Sequence, residues 1–514
     1  MRGNGLLLKK SGRRLAVALV VACLIGPPAI ASSLTGSGVS SPGGTTENPP
    51  AIASSLTGSG ESSRSGAVGA LAASADWLNG VDFANGTFTK PDGVLMETGI
   101  RMLVWLVAAL TLIPMLLVIV EILAALGLRK RKVIAARSID AAGKELPSTV
   151  VLIPAHNEED VIGRCLDALS VDLPSDWRML CVAHNCTDAT AEIARNLGAE
   201  VIEVQDEGNG GKPDALKAGL RWLDVNPPDI VVIVDADCVV SEGAVRTLAT
   251  KAYELNRPAM GAYFFAPADS GKGLGTLSSL AVLLKNYIRP QGLHALGMPC
   301  LINGSGSAYP FHVIRKAPQG KGAIAEDYQL SIDLLRRGYP TVFVPEARID
   351  GQLPKREDTA LRQRRRWEHG HMFLAFHTGP KLLLEGLKRL DKNRIALALE
   401  VSVPPLAFLG LMWAIAVGLA FTLFAFYGHG GPLGSLVCAA STFAAAVLVS
   451  WMRFAGVKPT LAALWSVPGY FMWKLGMYRD FFTRREKRWV KTSRDVPSAA
   501  QHGLRAEIRA PFSG

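Results

Sequence analysis

Asp235 and Asp237 stand two residues apart at the end of the apolar run 230–234. In an extended segment that spacing sends both side chains to one side. The two carboxylates can therefore face a single hard divalent cation, which prefers oxygen ligands and bridges readily to a diphosphate. The same pair would also serve as a solvated acidic turn closing a strand. Upstream, residues 208–212 read Gly-Asn-Gly-Gly-Lys, and such a turn offers backbone N–H groups and the Lys212 ammonium to a phosphate. If Gly210 and Gly211 only turn the chain, Lys212 is a solvated charge.

Three further groups carry chemistry. Glu326 and Asp327 precede a helical pattern over 328–337 with Leu330, Ile332, Leu334 and Leu335. An acid at that place caps the helix or offsets its dipole, or serves as a base that takes a hydroxyl proton. Residues 363–367 read Gln-Arg-Arg-Arg-Trp, a run that also suits a basic patch beside a membrane. Asn303-Gly304-Ser305-Gly306 holds two glycines, where backbone can approach a ligand closely. His369 and His371 flank Gly370, and two histidines without a third ligand read as hydrogen-bonded loop residues rather than a metal site.

In their order along the chain, Asp235-Ala-Asp237, Asn303-Gly-Ser-Gly306, Glu326-Asp327 and Gln363-Arg-Arg-Arg366-Trp367 resemble the motifs of membrane-embedded family 2 glycosyltransferases. These inverting enzymes build polysaccharides and glycolipids from nucleotide sugars, and include cellulose, hyaluronan and poly-N-acetylglucosamine synthases. The resemblance covers roughly the middle half of the chain. It implies an α/β domain of GT-A type flanked by transmembrane helices, with Asp327 as the base and Ala325 where the family often has Thr. It further implies that Asp237, with Asp235, holds a divalent cation (Mg2+ or Mn2+). Glu158, His184, Lys212 and Asp235 would then contact the nucleotide sugar. Gly304, Gly306, Gln363, Arg366 and Trp367 would serve the acceptor and diphosphate, the Trp ring stacking on a sugar face. One departure stands out: Ala183-His184 occupies the place where many members carry Asp-Asp against uracil. A neutral His184 can still accept that bond.

The elements that must position these residues are legible as an alternation. Short runs rich in Val and Ile at 149–153, 179–183, 200–204, 230–234 and 341–344 suit buried strands. Helical patterns at 160–169 and 188–197 separate them. This predicts a largely parallel sheet with helices on both faces, whose ligands bind at the carboxyl ends of the strands. Residues 154–158, 184–188 and 235–237 all follow strand ends.

Composition sets the surroundings. The 514 residues are 49% apolar with a net charge of +11 and a mean hydropathy of +0.22, the balance of a membrane protein with a soluble domain. Basic residues crowd at 9–14, 129–132, 362–366 and 474–494 beside apolar or amphipathic stretches, which points to anionic lipid headgroups and not to nucleic acid. Cysteines 23, 165, 181, 186, 238, 300 and 438 show no CxxC spacing and read as reduced core residues.

Residues 1–31 read as a signal peptide or signal anchor. Residues 32–98 form a polar low-complexity linker on the periplasmic side, and 27–38 and 49–60 repeat the same twelve letters. Apolar spans are expected at 100–127, 404–427 and 433–452. The catalytic domain is expected at 145–350, and the Gln-Arg-Arg-Arg-Trp element with interfacial helices at 351–395. An interfacial helix and basic tail follow at 459–514, with 461–473 and 372–394 as the amphipathic stretches. The basic run after the first span places the catalytic domain in the cytoplasm of an inner-membrane, multi-pass protein.

The reading is a transferase moving a sugar from a nucleotide donor, UDP-linked by resemblance, to a growing exopolysaccharide, with membrane lipids and polysaccharide-export proteins as partners. A single-transfer glycolipid synthase similar to ceramide glucosyltransferases is the first alternative. A non-catalytic membrane scaffold is the second, and the intact acids argue against it.

Overall fold

The computed structural model describes residues 92–127, 146–171, 173–206, 211–265, 273–318, 325–351, 357–455 and 465–483, with a two-residue strand pair at Val81–Asp82 and Thr87–Phe88. The expected signal segment, most of the linker, the basic run 129–132 and the chain after 483 lie outside the described residues.

The centre is an eight-stranded sheet. Its strands are β1 (Thr149–Ala155), β2 (Arg178–His184), β3 (Glu200–Val204), β4 (Ile230–Ile233), β5 (Val239–Val240), β6 (Ala259–Phe265), β7 (Ser307–Pro310) and β8 (Val342–Gly351), in the order β3-β2-β1-β4-β7-β6-β8-β5. The first four pair in parallel, with β1 between β2 and β4. β4 is buried along its whole length, which its unbroken Ile-Val-Val-Ile run requires.

The sheet is mixed rather than largely parallel. β7 runs antiparallel to both neighbours and β5 runs antiparallel to β8. β6, β7 and β5 have no expected counterpart, because Ser-Ala-Tyr-Pro is too short and polar to read as a strand and Gly261 breaks the Val/Ile signature in β6. The two central segments meet backbone to backbone: Gly261 N–H donates to Gly306 O at 2.9 Å, and Gly306 N–H to Ile233 O at 3.0 Å. Gly306 has φ +79°, and a Cβ there would lie 2.4 Å from Ile349. Only glycine fits both constraints.

Three helices are long and apolar enough to cross a membrane: a stretch within α1 (Asp92–Leu126), α2 (Leu406–Tyr427) and α3 (Gly431–Phe454). α1 begins eight residues before the expected 100, and the extra turns bring Glu97 within 2.7 Å of His429 in the turn between the other two helices. Val104 and Ala108 pack against Ala416, Ala420 and Leu436 in one cluster.

The stretch 372–394 is not one amphipathic helix. It is divided among a helix at Glu357–Phe373, a π-turn at Leu374–Thr378 and a helix at Gly379–Arg389. Leu390 then turns left-handed at φ 50°, and Asp391 caps the next helix, Lys392–Ser402. The last described helix spans Val467–Thr483. Pro468 sits in its first turn, where proline is tolerated, so Pro468-Gly469 starts the helix instead of interrupting it.

His369 and His371 lie buried in the Glu357–Phe373 helix and not in a loop. Cys165, Cys181, Cys238 and Cys300 are buried and free, as expected of core residues, whereas Cys186 is half-buried and Cys438 is exposed on α3. Cys23 lies outside the described residues.

The sheet domain is fastened to the apolar helices by a buried ion triad. Arg289 donates to Glu121 of α1 at 2.6 Å and also pairs with Glu400, and all three residues are buried. Removing the one cation would leave two buried carboxylates facing each other, a change that costs about 3–5 kcal/mol. Arg289→Met should therefore lower the thermal unfolding temperature in detergent. Adding Glu121→Gln and Glu400→Gln to it should recover most of the loss.

Candidate active site

Strand order reverses at β1, and the segments leaving β1, β2 and β4 meet there. The loops after β1 and β2 are clasped together. His156 Nδ1–H donates to His184 O at 2.5 Å, Thr187 N–H to Asn157 Oδ1 at 2.8 Å, Glu158 N–H to Thr190 Oγ1 at 2.8 Å and Ala189 N–H to Glu159 Oε2 at 3.0 Å. Asn157 and Asn185 take the left-handed conformation that this clasp needs, which asparagine tolerates better than most residues.

A cavity of about 670 Å³ opens from this clasp. It is lined by Glu158, His184, Lys212, Asp235, Asp237, Gly304, Asp327, Gln363, Arg366 and Trp367, so ten of the eleven residues singled out by sequence share one space. Gly306 is the exception. It packs under Ile349, as its missing Cβ requires, and the backbone contact that sequence reasoning assigned to it falls to the sheet.

The acids converge through short contacts. Asp235 N–H donates to Ser305 Oγ at 2.9 Å, which ties the end of β4 to the Asn303–Gly306 loop. Lys212 Nζ lies 2.5 Å from Asp235 Oδ1 and donates to Gly304 O at 3.3 Å. Gly304 N–H in turn donates to Asp327 Oδ2 at 2.8 Å. Asp327 is the second residue of the helix Glu326–Arg336, where its charge also faces the positive end of the helix dipole.

Burial alone would pull the Lys212 ammonium down. Asp235 overrides it, helped by Glu326 and Asp327, and Lys212 is held above the ordinary lysine range. Glu326 behaves oppositely: burial first, then the neighbouring Asp327 charge, pushes its carboxyl up to about 7, against the pull of Arg366 and Lys212.

The residues present fit a hard cation. Ligand atoms of Asp235, Asp237 and Cys238 all lie within 4.8 Å of one another. Burial and the two carboxylates push the Cys238 thiol far up, so it stays protonated, and it donates to Asp237 Oδ1 at 3.3 Å. That leaves an oxygen donor set of two carboxylates, suited to Mg2+ or Mn2+ completed by phosphate oxygens.

His184 is buried, and its Nε2 lies 3.1 Å from Asp206 Oδ2. Sequence reasoning missed that carboxylate, because Asp206 follows β3 in an unremarkable Gln-Asp-Glu run.

It also missed the aromatic wall on which Trp367 rests. The Phe265 ring centroid is 5.6 Å from Trp367 and 4.6 Å from Tyr263. The element 357–373 is seated by the last helix: Arg365 pairs with Asp480 at 3.0 Å, Glu368 with Lys474, and His369 Nε2 meets Met477 O at 2.9 Å. Tyr470 and Lys474 thereby reach the cavity. The only sequence signal for them was the amphipathic character of 461–473.

Residues 147–370 match the family model described as "Glycosyltransferase like family 2". The central domain is a family 2-like glycosyltransferase domain. The chain is 28% identical over 262 residues to "Probable glycosyltransferase YdaM" of Bacillus subtilis, covering 49% of this chain and 60% of that protein. It is 34% identical over 113 residues to a 4,4'-diaponeurosporenoate glycosyltransferase of Staphylococcus aureus, covering 21% of this chain and 28% of that one. Among solved structures, a mannosyltransferase from Pyrobaculum calidifontis, in complex with GDP-Man and Mn2+, aligns at 18% identity over 73% of this chain and 100% of its own, with a TM-score of 0.39. The mixed sheet of the glycosyltransferase domain, with its acids at the strand ends, is an α/β arrangement of GT-A type.

The raised Glu326 carboxyl gives a signed pH dependence. An acid whose folded pKa lies above its unfolded value costs nothing below the unfolded value, near 4.3, and its full penalty appears as pH rises through about 7. Glu326→Gln should therefore be more stable than wild type at pH 8, by on the order of 1–3 kcal/mol. The difference should shrink towards zero at pH 4.5. Thermal melts at the two pH values measure it.

Proposed function

We propose that this protein transfers a sugar from a nucleotide donor, UDP-linked, to the hydroxyl of a glycan acceptor at the cytoplasmic face of the inner membrane, with inversion at C1, as a step in building an exopolysaccharide. The observation that carries the reading is the chain of contacts from Asp235 through Lys212 and Gly304 to Asp327. It sets the diphosphate-handling pair and a base-competent carboxylate on one wall of one cavity.

Asp235 and Asp237 would hold a divalent cation, which when bound neutralises the departing diphosphate. Lys212 adds a fixed positive charge on the same side. Asp327 takes the acceptor proton as the hydroxyl attacks, and its Oδ2 is aimed by the Gly304 amide. Arg366 and Gln363 contact the phosphate and acceptor ends. Trp367 offers a flat face to the acceptor sugar, and the clasped loops carrying Glu158 and His184 receive the nucleotide.

The first span and the basic residues beyond it support the cytoplasmic placement, and the anionic lipid surface and export proteins are its natural partners. A single-transfer lipid reading also has support: Pro404, Pro405, Leu406 and Ala407, at the entry to α2, line the cavity, and one of the matched relatives is named a 4,4'-diaponeurosporenoate glycosyltransferase.

Asp327→Asn should lower transfer by about 10²–10⁴-fold while titration with the nucleotide diphosphate still shows binding. Transfer within tenfold of wild type would refute the base assignment. Asp237→Ala should remove the response to added Mg2+ or Mn2+. Full turnover of wild type in excess chelator would exclude the cation.

Trp367→Ala separates the two acceptor readings. Radiolabelled product from a polymerising wild type forms a ladder that the substitution shortens. Product of one fixed size from the wild type would establish single transfer instead.

A further inference from the structure

The cavity is lined by buried polar atoms that the fold itself does not use. His371 Nε2, Asn303 Oδ1 and Gln363 Oε1 are buried without a hydrogen-bond partner, and all three residues line the cavity. His371 and Asn303 are 6% and 7% exposed. Such atoms are rare in folded proteins because each left unpaired is unfavourable. Three around one cavity amount to a demand for donors.

The His371 ring is fixed. Its edge meets Tyr328 at 5.3 Å between centroids, and the backbone of Val401 and Val403 bonds it, leaving Nε2 as the atom facing the cavity. Burial first, then Lys285 and Arg289, holds this imidazole well below the ordinary histidine range. It is neutral, and Nε2 presents a lone pair.

Against the same Tyr328 ring stands Lys285. Lys212, Arg289 and Lys474 each have a carboxylate partner. Lys285 forms no ion pair among the described residues, and its Nζ sits 5.1 Å above the Tyr328 ring. It is displayed on the π-turn Leu284–Ile288, a distortion often found at functional sites.

We propose that His371 Nε2, Asn303 Oδ1 and Gln363 Oε1, with the Lys285 ammonium beside them, form an acceptor subsite that recognises the hydroxyls of a neutral sugar headgroup and discriminates against phosphate- or carboxylate-headed lipids. The inference rests on the glycosyltransferase reading and names its acceptor chemistry. A hydroxyl donates to a lone pair and accepts from an ammonium at once. A phosphate or carboxylate only accepts, so it would satisfy Lys285 while setting its own lone pairs against three others. The hydroxyls can come from the end of a glycan or from a glycolipid.

The test uses the full-length protein in native membranes with a panel of UDP-sugars. The acceptor probes are octyl glucoside, cellotetraose and octyl phosphate. Wild type is expected to glycosylate octyl glucoside and to ignore octyl phosphate. Transfer to cellotetraose as well assigns the subsite to a glycan end, and transfer to octyl glucoside alone assigns it to a glycolipid. Either result supports a sugar headgroup.

His371→Phe is expected to raise KM for octyl glucoside about tenfold, the worth of one such hydrogen bond, with kcat little changed. His371→Gln, which restores an acceptor atom, is expected to stay within about threefold of wild type. Equal effects of the two substitutions, or a fall in kcat without a change in KM, would overturn the proposal. So would octyl phosphate serving as well as octyl glucoside, while the wild type's hydrolysis of UDP-sugar would leave the transferase reading standing. A wild type that neither hydrolyses nor transfers any donor would defeat both.

Discussion

Repulsion among carboxylates is the constraint around which the centre of this protein is built. Asp235, Asp237, Glu326 and Asp327 line one cavity, and like charges in so little space cannot all be ionised without compensation. Lys212 supplies it from the first turn of its helix, touching Asp235 and the Gly304 carbonyl together. Burial first, and then the Asp327 charge, leave a cost that shows as proton affinity in the raised Glu326 carboxyl. A bound divalent cation would complete the compensation that Lys212 begins.

A second charge problem is solved where the domain meets the apolar helices. Arg289 sits between Glu121 and Glu400, so an apolar helix, the helix after the π-turn and the helix Lys392–Ser402 share one buried ion set. The same stretch of chain displays Lys285 into the cavity. The residue that grips the apolar helix and the lysine that lines the cavity are thus close in sequence. Movement of either would be felt by the other through a few residues of helix.

The cavity itself is asymmetric in a chemically useful way. The part bordered by the first two strand-end loops is made of clasped backbone turns and charges, a rigid polar environment. Elsewhere the lining is made of aromatic rings, prolines and buried lone pairs. The helix Val467–Thr483 pairs with the Glu357–Phe373 helix and lends Tyr470 and Lys474 to the cavity lining.

The four chemical motifs, the first parallel strands and the three apolar helices were legible in the sequence. Each depends on local information: a Val/Ile run is buried whatever lies beside it, carboxylates two apart share a side of an extended segment, and twenty apolar residues suit hydrocarbon. Ten of the eleven residues singled out on that basis share the cavity. Gly306 does not, because a glycine allows close approach without saying what approaches, and here it is Ile349.

Tertiary structure decided the rest. Only the folded sheet shows that Ser-Ala-Tyr-Pro at 307–310 is a strand, because its pairing energy comes from Ile230–Ile233 and Ala259–Phe265 and not from its own composition. Only the docking of Val467–Thr483 explains why His369 is buried, and only the packing of Tyr328 and of the backbone at Val401 and Val403 explains why His371 is, since neither histidine's neighbours in sequence mark its depth. The unpartnered lone pair on His371 is a property of what surrounds it, and no spacing along the chain encodes that.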